Sequence, residues 1–254
     1  MFLDVNGTRL HALAFGEGPR TLVAVGGWTG SWEVWEEPIA QLSAAGWRCI
    51  AYDHRGAGES PTPPADITVD AMVADVVGVL DAFGVERCIL AGESQGGAIA
   101  QYAAARTPER FDGLVLCAPA PTGRKERSGG FADACRADYP AVVARFVEGC
   151  FPEPETDHVK RLARNVLLRA EPEQAARIIE MWSDEEVGDV DPRQLGLPVL
   201  ILHGTADPIV PVELSRTLVE LLPDAELVEF GGVGHVPTMT RPDEVVAAIR
   251  RRFP

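Results

Sequence analysis

No apolar run in this sequence approaches the roughly 18–20 residues that a membrane-spanning helix needs, which argues against an integral membrane protein. The five cysteines show no C-x-x-C pair and no metal-site spacing. Neither a metal nor an organic cofactor is implied. Positive charge is scarce. Lys and Arg number 23 against 38 Asp and Glu, for a formal net charge of −15. Such a chain is repelled by nucleic acid and by anionic membranes, and no basic cluster offers a mouth for a phosphate or a coenzyme A. Internal repeats, low-complexity tracts and long linkers are missing too. Met1–Phe15 lacks the basic start, apolar stretch and small-residue cleavage site of a signal peptide, so a cytoplasmic location is expected. No coiled coil or other assembly signature is present, which leaves the oligomeric state open.

What is present is ordinary for a globular enzyme: 254 residues, 46% hydrophobic and 24% charged. Cys49, Cys88 and Cys117 fall in apolar strand-like runs and read as small buried hydrophobes. Cys135 and Cys150 share a helical stretch. A bridge between them is conceivable, but a reduced pair suits a cytoplasmic protein better.

The first 120 residues alternate between β-rich runs and helical patterns. The runs are Phe2–Val5, Arg9–Phe15, Thr21–Val25, Arg48–Tyr52, Cys88–Ala91 and Leu114–Ala118. The last four are nearly continuous in Val, Ile, Leu, Ala and Cys, as strands buried on both faces are. Between them lie helical patterns at Pro38–Ala45, Val69–Phe83 and Gln95–Arg106, with Gly46 and Gly84 where C-caps belong. This alternation predicts an α/β doubly wound, mostly parallel sheet. After Pro119 the rhythm breaks, and residues 122–193 read as helices around Phe131–Phe151, Asp157–Ala170 and Pro172–Trp182. Alternation resumes with Val199–His203, Val212–Leu222, Leu227–Phe230 and Pro242–Arg252. The expected division is a core of residues 1–121 and 194–254 with an inserted helical cap, 122–193.

The strongest chemical signal is Gly92-Glu93-Ser94-Gln95-Gly96-Gly97, placed after a strand and before a helix. A G-x-S-x-G turn in that setting exposes the serine hydroxyl on a strained elbow at a helix N-terminus. A chance glycine-rich turn is the rival reading. A serine hydroxyl needs a base, and the base an orienting acid. Asp207 follows the buried run Leu200–His203, and His235 ends the loop Gly231–Gly234 after the last strand. Taken singly, Asp207 could be a turn aspartate before Pro208, and His235 a surface-loop histidine. Together with the elbow they predict Ser94 as nucleophile, His235 as general base and Asp207 as orienting acid. The other histidines compete poorly: His11 lies in the N-terminal hairpin, His54 in a turn, His158 in a charged helix, and His203 reads as a buried, satisfied side chain.

An oxyanion hole needs two donors. The backbone N–H of Gln95, next to the nucleophile, and that of Trp28, in the loop Gly26–Gly30, are the candidates. That loop could instead simply support the elbow. The dense turn Asp53–Ser60 reads as structural, with Arg55 tying loops together. Trp28, Trp182, Phe131 and Met181 are candidate walls of an apolar substrate pocket; the rival reading, in which cap aromatics pack their own helices, is at least as strong for Phe146 and Phe151.

These motifs together resemble the α/β-hydrolase superfamily, in particular its small capped serine hydrolases of the lactonase, esterase and C–C hydrolase type. The resemblance spans nearly the whole chain. It rests on Gly26-Gly27, the D-x-R-G-x-G-x-S turn Asp53–Ser60, the elbow Gly92–Gly97, His203-Gly204-x-x-Asp207 and Gly234-His235-x-Pro237. It departs at two places. Relatives usually carry His-Gly in the oxyanion loop where this chain has Gly26-Gly27, and they often carry an acid where Thr240 stands. A serine in the elbow argues against dehalogenases and epoxide hydrolases, which use a carboxylate. The resemblance implies hydrolysis of a carboxylic ester or lactone of a small, mostly apolar substrate through an acyl-enzyme. Alternatives on the same residues are C–C bond hydrolysis, perhydrolysis, or a small-ligand receptor with little turnover.

Overall fold

The computed structural model describes residues 1–123, 129–184 and 187–254. The eight strands are β1 (Phe2–Val5), β2 (Thr8–Phe15), β3 (Thr21–Val25), β4 (Arg48–Tyr52), β5 (Cys88–Glu93), β6 (Phe111–Cys117), β7 (Val199–Gly204) and β8 (Ala225–Phe230). They form one sheet in the order β1-β2-β4-β3-β5-β6-β7-β8. The β1–β2 and β2–β4 pairs are antiparallel, and every later pair is parallel. The chain is therefore the doubly wound, mostly parallel α/β fold that its apolar runs predict. β6 begins at Phe111, three residues before the predicted Leu114, because Phe111 pairs with Cys88 across a register shift.

Helices cover both faces. They are α1 (Glu36–Ala44), α2 (Val69–Ala82), α3 (Gln95–Arg106), α4 (Gly129–Cys150), α5 (Asp157–Leu167), α6 (Pro172–Glu180), α7 (Val212–Leu221), α8 (Pro237–Thr240) and α9 (Pro242–Arg252). Alternate strand residues feed two cores. Val23, Ile50, Leu90, Leu114 and Ile201 pack with α2 and α3, while Leu22, Cys49, Ile89, Val115 and Leu200 pack with α1 and α9. Burial on both faces is why the strand sequences show no polar alternation.

Among the described residues, none between β6 and β7 forms a strand. The helix predicted at Phe131–Phe151 is broken at Asp138, where φ and ψ are −156° and 77°. Pro140 cannot continue a helix through its own first turn, and the Asp138 carboxylate restarts it by accepting from Ala141 N–H at 3.1 Å. This helical segment lies against loops that leave the C-terminal ends of the strands. Trp28 Nε1 donates to Ala175 O (3.0 Å), Gln174 Nε2 to Thr62 O (3.0 Å) and His235 N to Cys150 O (2.8 Å).

The Asp53–Ser60 turn is held as its charges suggested. Arg55 is buried and pairs with buried Asp75 at 2.6 and 3.0 Å, and it also donates to Asn6 O and Asp66 O. Asp53 accepts from Trp32 N–H and Glu59 N–H.

Candidate active site

β5 ends at Glu93 and α3 starts at Gln95, so Ser94 must turn the chain by itself. Its φ of +51° is left-handed, a conformation that costs a side-chain-bearing residue about 1–3 kcal/mol. Neighbours enforce it: Ser94 N–H donates to Cys117 O at 2.8 Å, and its carbonyl accepts from Ala120 N–H at 2.9 Å. Gly92 has to lack a side chain, because a Cβ there would stand 2.3 Å from Gly96 O. The hydroxyl is thus presented where helix-end N–H groups favour developing negative charge.

Asp207 divides its carboxylate between two tasks. Oδ1 accepts from the N–H groups of Ile209 (2.8 Å) and Val210 (3.1 Å), as a turn aspartate does. Oδ2 faces His235 Nδ1 at 2.7 Å and His203 Nε2 at 3.1 Å. His203 Nε2 also lies 2.8 Å from Val210 O, so that nitrogen carries the proton, while Nδ1 accepts from the Ser215 hydroxyl at 2.7 Å. His203 is fully buried and fully bonded, as its place at a strand end suggested. Burial opposes the charge on Asp207. The hydrogen bonds from His203 and His235, with the Val210 N–H, outweigh it and hold the carboxyl well below the usual carboxylate range.

His235 is 1% exposed. Its Nδ1 meets Asp207, and its Nε2 is buried with no hydrogen-bond partner among the described residues. Burial disfavours the imidazolium. The Asp207 hydrogen bond and the charges of Glu93 and Asp207 overcome that and raise the imidazole above its ordinary value. Glu93, the variable residue of the elbow, turns into the same space. Its Oε2 accepts from Gly27 N–H at 2.9 Å, and its Oε1 lies 3.4 Å from His235 Nε2. Burial raises the Glu93 carboxyl to about 6, against the lowering by His235 and the Gly27 N–H.

The loop Gly26–Gly30 packs directly on the elbow. A Cβ on Gly27 would sit 2.6 Å from Glu93 Oε2 and 2.7 Å from Ser94 Cβ. The loop carrying Gly26, where relatives have a histidine, is contacted from the turn after β4. The His54 ring, buried, sits with Nε2 3.2 Å from Gly27 O and Nδ1 3.0 Å from Arg55 O. Thr240 also finds its acid elsewhere: its hydroxyl donates to Glu153 Oε1 at 3.1 Å, from the stretch that follows α4. With Cys150 O on His235 N–H, this stretch pins the histidine loop from the helical side.

Two cavities meet at Ser94, Trp28 and Phe146. One, of about 40 Å³, contains Glu93 and His235 among otherwise apolar walls including Val34, Val166 and Leu167. The other, of about 310 Å³, is lined by Gln95, Phe131, Trp182 and Ile209. Trp28 stands between them, edge-on to Phe131 (5.1 Å) and Phe146 (4.9 Å). Trp28, Trp182 and Phe131 thus reach the space beside Ser94. Met181 does not: it is fully buried and lines a separate small cavity with Tyr52, His54 and Ile178. Met181 directly precedes Trp182, and successive residues of a helical turn point roughly 100–120° apart, so it faces away from the side that Ile179 and Trp182 present. Sequence reasoning passed over Glu93 and set His54 aside, and it left Phe146 open between pocket and cap packing, where the structure has it line both cavities. The signal for Glu93 was its position inside the elbow motif, one residue from the serine.

A doubly wound sheet with a serine elbow after its central strand, an acid after β7 and a histidine after β8 defines a class, and sequence comparison agrees with it. The family pattern for the alpha/beta hydrolase fold matches residues 20–192, and that of TAP-like proteins matches residues 175–253. The chain belongs to the α/β-hydrolase family. It is 29% identical to the pimeloyl-(acyl-carrier protein) methyl ester esterase of Vibrio campbellii, over 96% of this chain and 98% of that one. Among solved structures, the enol-lactonase of Burkholderia xenovorans LB400 is 25% identical, with a TM-score of 0.89 over 99% of both chains. The esterase of Exiguobacterium antarcticum, 21% identical, shares the fold at a TM-score of 0.90 over 99% of this chain and 98% of that one. Among the described residues, no helix is long and apolar enough to cross a membrane.

Proposed function

We propose that this protein is a serine hydrolase acting on carboxylic esters or lactones of small, mostly apolar substrates. The observation that carries this reading is the 2.7 Å contact of Asp207 Oδ2 with His235 Nδ1 beside a strained, cavity-facing Ser94. The esterase and lactonase relatives support the same substrate class.

Ser94 Oγ attacks the carbonyl carbon, and His235 Nε2, which has no hydrogen-bond partner among the described residues and lines the same cavity as Ser94, takes the hydroxyl proton. Negative charge on the tetrahedral oxygen is met by the backbone N–H groups of Trp28 and Gln95. The C–O bond breaks, the alkoxide leaves with the proton from His235, and an acyl-serine remains. Water, deprotonated by His235, then releases the acid. Asp207 holds the imidazole with Nδ1 protonated and stabilises the imidazolium. Residues 122–193 act as a helical cap whose Phe131 and Trp182 close the larger cavity, while residues 1–121 and 194–254 form the core that carries the triad. That cavity, about 310 Å³ and mostly apolar, fits a compact neutral substrate. Five free, buried cysteines suit a reducing, cytoplasmic compartment.

The test is steady-state and single-turnover hydrolysis of short-chain p-nitrophenyl esters and small lactones, wild type beside Ser94→Ala. Turnover that disappears in the variant supports the assignment. Equal turnover in both rejects it, and wild-type inactivity on esters and lactones alike rejects the substrate class.

A further inference from the structure

We propose that Glu93 is a positioning residue that shares a proton with His235 Nε2 and so sets the acid limit of turnover. The inference rests on the proposed role of His235 as the base.

The geometry leaves the Glu93 carboxylate little choice. Its Oε2 is committed to the Gly27 N–H at 2.9 Å, which directs Oε1 at His235 Nε2, 3.4 Å away. Asp207, an acceptor, faces the other ring nitrogen, so the neutral ring has its proton on Nδ1 and a lone pair on Nε2. An ionised Glu93 and a neutral His235 would then point lone pairs at each other inside a site where Glu93 is 5% and His235 1% exposed. Low local polarity makes such a contact costly. One proton relieves it, either on Nε2 as an imidazolium–carboxylate pair or on Oε1 as a neutral carboxyl donating to Nε2. In both forms Nε2 has no lone pair for the Ser94 hydroxyl. The shared proton has to pass to solvent before the base can work.

The surroundings hold that proton. The charges bearing on Glu93 are His235 and, from the loop after β7, Asp207. The Cys150 thiol at the end of α4 lines the same cavity, and the Cys117 thiol on β6 feels the Glu93 charge; burial keeps both neutral. Glu153, beyond α4, adds further negative charge toward Cys150. Among the described residues, no Lys or Arg acts on either group. Burial together with Asp207 accordingly lifts the Glu93 carboxyl, and Asp207 and Glu93 lift the imidazole. The sign follows: the proton stays at low pH, the base is blocked there, and activity rises as pH passes the midpoint of the pair. The two groups titrate as a unit, so that midpoint belongs to both.

Glu93→Gln keeps an oxygen for the Gly27 N–H and turns an amide toward Nε2, while Glu93→Leu removes the polar group outright. Neither carries charge, so the acid limb of the kcat/KM profile should move down by roughly one to two pH units in both. A substrate-free readout is the low-field Nδ1 proton of His235, followed by NMR against pH in wild type and Glu93→Gln. The wild-type midpoint should lie above about 6.5, the ordinary histidine value, and fall in the variant. A wild-type midpoint at or below that value overturns the proposal without any variant, even if the variants do not fold. Identical midpoints and identical acid limbs in folded variants also overturn it. If no ester or lactone is turned over, the proposed function fails, while the NMR titration still decides the role of Glu93.

Discussion

His203 approaches Asp207 at 3.1 Å on the very oxygen that meets the catalytic candidate His235 at 2.7 Å. Asp207 Oδ2 is therefore held from two sides, and Oδ1 by two backbone N–H groups. The acid is fixed in direction and kept ionised by the same contacts. Replacing His203 with Phe keeps an aromatic ring but removes one contact on Asp207 Oδ2 and leaves the Ser215 hydroxyl without its acceptor. Stability should fall by about 1–3 kcal/mol, checked by urea denaturation, and kcat should fall more than KM rises.

Asp207→Asn tests the orienting role itself. An amide nitrogen facing Nδ1 favours the wrong tautomer, and kcat should drop by about four orders of magnitude on any ester the wild type cleaves. A loss of less than tenfold would mean that another acid orients His235.

Ser94→Ala and Ser94→Gly should both abolish turnover, by about five to six orders of magnitude in kcat. They should differ in stability. Glycine accepts the +51° φ that alanine resists, so thermal melts should place Ser94→Gly at or above Ser94→Ala.

Phe131→Ala should enlarge the cavity of about 310 Å³ at its partly buried rim. Esters with longer acyl or alcohol chains should then gain in kcat/KM relative to acetates, up to roughly fourfold per added methylene. A chain-length profile identical to wild type would place substrate binding elsewhere.

Asp75→Ala lies away from the site and leaves the Arg55 guanidinium buried with only the carbonyls of Asn6 and Asp66 for partners and no counter-charge. Denaturant midpoints should report a loss of about 3–5 kcal/mol, since an uncompensated buried charge is left behind.

Much of this molecule is local in origin, and that part was legible in the sequence. Continuous apolar runs mark strands covered on both faces, because no face needs polar residues. The elbow at Gly92–Gly97 is legible because a tight strand-to-helix turn demands glycine at particular neighbours, and Gly92 does crowd Gly96 O. Asp207 stands out as a polar residue just past the buried strand β7, and His235 as one that ends the glycine-rich loop after β8.

The tertiary structure decided what lies between distant positions. Asp207 and His235 are 28 residues apart, and only the adjacency of β7 and β8 makes them neighbours. Glu93 reaches Gly27 across 66 residues because β3 and β5 are paired, and nothing in its own segment states which way the carboxylate turns. The break of α4 at Asp138 follows from Pro140, but the seat of Tyr139 beside it is tertiary: its hydroxyl bonds Leu167 O and lies 3.0 Å from Thr29 Oγ1. The placement of Met181 away from Ser94, with Trp182 beside it facing the cavity, depends on how the end of α6 seats on the core. Propensity and turn chemistry act over a few residues and write themselves into the chain. The meeting of a serine, two carboxylates and a histidine is a property of strand order, which packing alone selects.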